Sequence, residues 1–180
     1  MDEKFSKIHN DILQQVANLV FMSWERIYIL GEVEKTPEYQ MCQAPPPMLR
    51  TSFYYTDSAT NETCRGMSEI DKYMSFGKSK DCIRGINNTI YELNKIFRTE
   101  ADGDWSKIWD AFTLIASPNG QFSIDYHYEF AANYQIITNK YNLEKEFIWA
   151  YETFGYKPKE SHPFRRDLDN YLLNELGKNV

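Results

Sequence analysis

From Phe122 to Glu129 the chain alternates apolar and polar residues without a break: Phe122, Ile124, Tyr126 and Tyr128 against Ser123, Asp125, His127 and Glu129. A period of two is the spacing of a β-strand, whose successive side chains point to opposite faces, and no helix accommodates it. Just upstream, Ile108 to Ile115 is rich in aromatic and β-branched residues. Ser117-Pro118-Asn119-Gly120 joins the two runs. Proline suits the first central position of a type I turn, and glycine the left-handed position that closes such a hairpin. Residues 107–129 therefore predict an antiparallel hairpin with one buried and one wet face.

The remaining segments supply partners for that hairpin. Phe5, Ile8, Ile12, Val16 and Leu19 recur at helical spacing and predict an amphipathic helix over about residues 3–21, with Lys7, Asp11, Gln14 and Asn18 on its outer face. Trp24 to Val33 reads as a strand, with Gly31 marking either a bulge or its fraying end. The stretch 36–48 holds Pro37 and Pro45-Pro46-Pro47, which cannot donate ladder hydrogen bonds, and reads as an exposed loop. Arg50 to Thr56 predicts a second strand and Glu62 to Ile70 a weaker third. Ile83, Ile86, Ile90, Leu93 and Phe97 predict a helix over about 80–98, capped by Ser79 or Asp81.

Two helices are expected to finish the chain. Leu143, Phe147, Ile148, Tyr151 and Phe154 form one apolar stripe, ended by Gly155 with Pro158 beyond it. Ser161 and Pro163 open the other, which buries Leu168, Tyr171, Leu172 and Leu176 and stops at Gly177. Few of the strands are joined by the long helical crossover that a parallel sheet needs. The expected fold is thus α+β, an antiparallel sheet of about four to five strands packed with helices at the N-terminus, the middle and the C-terminus. With 180 residues, we read 1–180 as one domain.

Composition and motifs argue against several functions. The chain has 20 basic and 26 acidic residues, a net charge of −6, which opposes direct binding to nucleic acid or anionic membranes and favours a basic partner. Cys42, Cys64 and Cys82 fit neither a redox pair nor a zinc pattern. Together with an N-terminus that lacks an apolar leader and the absence of a long apolar run, they set the expectation of a cytoplasmic protein without membrane span. No phosphate-cradling glycine loop and no nucleophile elbow is present, so neither a catalytic residue nor a cofactor is expected. His9, His127 and His162 are far apart in sequence, and none has the helical spacing of a metal pair. His127 lies between Asp125 and Glu129 on one strand face, which sets the alternative reading of a small metal- or ligand-binding enzyme using these three residues. A structural adaptor is a third possibility.

Three segments resemble the YezG-like immunity proteins, which include the staphylococcal EsaG group. They are Ser23-Trp24-Glu25-Arg26-Ile27-Tyr28 after the opening helix, the hairpin from Trp109 to Tyr126 around Gly120-Gln121-Phe122-Ser123-Ile124-Asp125-Tyr126, and Ile148-Trp149-Ala150-Tyr151-Glu152-Thr153-Phe154-Gly155 followed by Pro158. The Pro-rich loop at 36–48 is longer than that family's pattern. The resemblance implies a non-catalytic cytosolic antitoxin that binds the nuclease domain of a secreted bacterial toxin. A nuclease must present positive charge to hold DNA, and an anionic, ring-rich inhibitor can cover that surface. Asp110, Asp125, Tyr126, Tyr128 and Glu129, on or beside the hairpin, are the expected partner-binding residues.

Overall fold

The computed structural model describes residues 3–36 and 48–177. The stretch from Pro37 to Pro47, with most of the expected Pro-rich loop and Cys42, lies outside the described residues. Among the described residues the fold is α+β, with six α-helices and a five-stranded antiparallel sheet of order β3-β2-β1-β4-β5. Helix α1 (Glu3–Ala17) leads into β1 (Trp24–Val33), β2 (Leu49–Asp57) and β3 (Thr63–Arg65), and then come α2 (Gly66–Tyr73) and α3 (Phe76–Glu100). The hairpin β4 (Ala111–Ala116) and β5 (Phe122–His127) follows, then α4 (Phe130–Tyr141), α5 (Lys145–Phe154) and α6 (Pro163–Leu176). The chain divides into two compact units, Met1–Tyr128 and Glu129–Val180.

In the first unit the sheet buries one face beneath α1 and α3. Ile12, Val16 and Leu19 from the opening segment and Ile86, Ile90 and Leu93 from α3 meet Ile27, Ile29, Phe53, Phe112 and Leu114 of the strands. The stripe predicted for residues 3–21 is present, but α1 stops at Ala17. Leu19 N–H bonds Val16 O and Val20 N–H bonds Ala17 O, so the chain leaves the helix through a tighter final turn. Polar side chains fix how α3 lies on its neighbours. Gln15 Nε2 donates to Thr89 Oγ1 at 2.8 Å, Thr51 Oγ1 donates to Asn87 Oδ1 at 2.6 Å, and Asn94 Nδ2 donates to the Trp109 carbonyl at 3.2 Å.

Gly31 is neither a bulge nor a fraying end. It is paired on both sides, with Thr51 of β2 and Phe112 of β4. A Cβ there would collide with the Phe112 ring and sit 3.1 Å from Ile90 Cδ1. Glycine is required at this point because the Phe112 ring occupies the space any side chain would take. The same geometry recurs at Gly66, where a Cβ would collide with the Phe53 ring.

Three expectations need correction. The weak third strand over 62–70 is only Thr63–Arg65, and the remainder turns into α2. Helix α3 begins at Phe76 behind Ser75 in extended conformation, so neither Ser79 nor Asp81 is the cap; the Ser79 hydroxyl instead donates to the Phe76 carbonyl inside the first turn. Three helices rather than two finish the chain, because 130–141 is helical.

The second unit has its own core of Leu143, Phe147, Ile148, Leu168, Tyr171 and Leu172. Glu152 gathers two phenols, accepting from Tyr134 Oη at 2.6 Å and from Tyr171 Oη at 2.9 Å. Gly155 and Gly177 end their helices in the left-handed conformation, as their positions predict. Pro163 takes the first helical position of α6, which makes His162, not Ser161, the cap: its Nδ1 accepts from Phe164 N–H at 3.3 Å. Leu176, expected to be buried, is 41% exposed.

Two glycine substitutions of opposite sign test this packing. Gly31→Ala should destabilise the fold by about 1–3 kcal/mol through overpacking against Phe112. In α3, a Cβ at Gly85 meets only Gln15 Oε1 at 3.4 Å. Gly85→Ala should therefore stabilise by roughly 0.5–1 kcal/mol through helix propensity. Urea unfolding midpoints should move in these opposite directions with unchanged slopes.

Candidate partner-binding face

The turn between β4 and β5 has the predicted chemistry. Gly120 sits at φ 81°, its N–H bonding Ser117 O at 3.0 Å, while Ser117 N–H bonds Gln121 O at 2.9 Å. Asn119 Oδ1 accepts from Gln121 N–H at 3.0 Å and from Ser117 Oγ at 2.8 Å, which locks the tip. From there the register runs through Ile115 with Ser123, Thr113 with Asp125 and Ala111 with His127. Asp110 N–H also bonds His127 O at 2.9 Å, so two residues oppose one and a β-bulge closes the open end of the hairpin.

This register separates the expected partner-binding residues. Tyr126, with Phe122 and Ile124, faces the helices and packs on the core. Its ring lies 4.8 Å from that of Phe97 and 5.6 Å from that of Trp109, and its hydroxyl shares a 2.6 Å hydrogen bond with His9 Nε2. Burial pushes the Tyr126 phenol well above its ordinary range, so it stays neutral. Asp110 is buried at the bulge. Asp125 and Ser123 stand exposed on the other face of β5. Tyr128 is 44% exposed, and its carbonyl accepts from Lys35 Nζ at 3.2 Å. Glu129 is exposed and belongs to the second unit, where it occupies the cap position of α4.

The wet face expected of the hairpin is confined to β5. Thr113, opposite Asp125 on β4, is buried, and Leu30 of β1 and Tyr54 of β2, whose side chains point to that same side, are fully buried. His127 is half-buried, and its Nε2 shares a 2.9 Å hydrogen bond with Thr113 Oγ1. Among the described residues no group of three or more His, Cys, Asp or Glu side chains is arranged to hold a metal ion. No helix among them is long and apolar enough to cross a membrane.

The sequence reading missed two features. His9 is a core residue, 1% exposed, whose Nδ1 has no hydrogen-bond partner among the described residues. Its place was legible only as a neighbour of Ile8 and Ile12 on the buried stripe of α1. The second is a set of exposed apolar side chains in the first unit: Phe21, Met22, Tyr73 and Phe76, with the Phe21 and Tyr73 rings 5.1 Å apart. Phe21 and Met22 follow the last helical repeat of the opening segment, the one sign in the sequence that they leave the core.

The described residues thus define a small α+β protein whose outer strand exposes Ser123 and Asp125, with scattered aromatic rings elsewhere on its surface and its histidines held by neutral partners. The family model for the YezG-like immunity proteins matches residues 5–166, and the chain belongs to that family. It is similar to the immunity protein YezG of Bacillus spizizenii, 24% identical over 178 residues that cover 97% of each chain. It is also similar to the immunity protein YezG of Bacillus subtilis, 21% identical over 165 residues, 91% of this chain and 93% of the relative.

The buried histidine makes stability depend on pH. Burial disfavours imidazolium, so His9 titrates below its ordinary range in the folded chain. As pH falls, the unfolded chain takes up this proton first. The contribution of His9 is therefore intact above about pH 6.5 and is lost progressively below it. The melting temperature should drop more between about pH 7.5 and 5.5 for the wild type than for His9→Gln.

Proposed function

We propose that this protein neutralises a secreted bacterial nuclease toxin by binding its nuclease domain and covering the surface that holds DNA, in the cytoplasm of the cell it protects. Membership of an immunity family over nearly the whole chain is the observation that carries this reading. The distribution of charge supports it. Of the 26 acidic residues 18 precede Glu129, against 13 of the 20 basic ones, so the first unit holds most of the net negative charge. An anionic surface is steered toward a nuclease built to attract phosphates, and association is fast at low salt.

In this reading the contacts come from exposed groups. Asp125 makes no ion pair among the described residues. With Tyr128 it offers the partner one charge and one ring, the latter being a typical anchor of interface hot spots. Glu129 supplies a further charge from the second unit. Asp110 and Tyr126 act from behind, the first at the bulge and the second as the packed base of β5. The chain itself turns over no substrate.

Protection of cells by co-expression with a nuclease toxin, taken from any toxin gene that neighbours this chain's own, tests the proposal. Asp125→Lys and Glu129→Lys, each made separately and then combined, should slow association by roughly tenfold or more at low salt and weaken protection. Full protection by the double variant would remove both residues from the proposed contact. A chain that protects against no neighbouring toxin would overturn the function itself.

A further inference from the structure

The sheet has two edges of very different character. At one end β3 is three residues long and runs directly into α2, a short edge of the kind that resists further pairing. At the other end β5 presents six residues, Phe122 to His127, that contain no lysine and no proline. The bonded pairs of the hairpin fix which backbone groups remain. Counting back from Ser117 and Gln121, the pairs Ile115 with Ser123, Thr113 with Asp125 and Ala111 with His127 exchange hydrogen bonds across β4 and β5. The N–H and C=O groups of Phe122, Ile124 and Tyr126 therefore point outward and have no partner among the described residues. Such a row is a template for another strand.

The chemistry along this edge reads the same in both directions about Ile124: an aromatic ring, a small polar group, the isoleucine, a small polar group, an aromatic ring. An antiparallel two-fold pairing centred on Ile124 sets Ile124 against its own copy and Phe122 against Tyr126 of the second chain, joined through the free backbone groups. It also sets Ser123 directly opposite Asp125 of the second chain, twice. These are the closer, non-bonded pairs of an antiparallel ladder, so a hydroxyl donor meets a carboxylate acceptor in both places. Both side chains are exposed and available. We propose that the outer edge of β5 pairs with β5 of a second copy of this chain, joining two sheets into one about a two-fold axis at Ile124.

The pairing uses Asp125, which the proposed function also gives to the toxin contact, but its test needs no toxin and uses the full chain alone, so the two readings fail separately. Sedimentation equilibrium over a range of concentrations should show a monomer–dimer equilibrium for the wild type. Ser123→Asp places two carboxylates against two carboxylates and should weaken the dimer roughly tenfold; Ser123→Lys makes two ion pairs and should tighten it by a similar factor. The exchanged variant, Ser123→Asp with Asp125→Ser, restores both donor–acceptor pairs and should return the dimer to near the wild-type strength. That rescue separates a lost interface from a damaged fold. A monomer throughout for the wild type and Ser123→Lys would overturn the proposal and leave the edge to a different partner. So would a response in which Ser123→Asp and Ser123→Lys shift the equilibrium alike, or in which the exchanged variant stays as weak as Ser123→Asp.

Discussion

The ring of Phe112 passes over Gly31, and this close approach governs the first unit. Because β1 has no side chain at that point, the Phe112 ring takes up that space and meets Trp109 in a T-shaped pair, with ring centroids 5.5 Å apart and planes at 85°. Trp109, fully buried, in turn contacts Phe97 of α3 and Tyr126 of β5. One residue without a side chain in β1, the central strand of the five, thus sets the packing of the hairpin and the seat of α3. Aromatic pairs in edge-to-face arrangement add to their burial energy, and four rings locked together leave few alternative packings.

That packing connects the core to the surface. Tyr126 is held by its ring neighbours and by His9, so β5 cannot slip along β4 without breaking the cluster. A one-residue slip would turn Asp125 inward and Tyr126 outward. The rigid seat of Tyr126 is therefore what keeps Ser123 and Asp125 facing out. A protein that recognises another benefits when its contact groups stand on a strand fixed from behind, because little entropy is then lost on binding.

Much of this was legible in the sequence. The period of two in 122–129 and the turn Ser117–Gly120 located the hairpin, and Gly155, Gly177 and Pro163 marked helix ends correctly. Helix α4 was missed because Ile136, Ile137 and Thr138 are β-branched and the segment buries only Phe130 fully, so no apolar stripe announces it. Helix α2 was missed because it opens on Gly66, a residue that local propensity disfavours and that the Phe53 ring demands. At the candidate site the alternation itself placed Asp125 and Tyr126 on opposite faces. The burial of Asp110 was not legible, since it follows from a bulge, a tertiary feature with no signature in spacing.

The central claim is that this chain acts by occupying another protein's surface at a fixed ratio and converts nothing itself. Titrating the purified chain into the nuclease domain of the toxin proposed as its partner, and reading DNA cleavage at each step, tests this most directly. The account predicts that cleavage falls in a straight line to zero at a small whole-number molar ratio. Cleavage that persists unchanged in a large molar excess of the folded chain would contradict it.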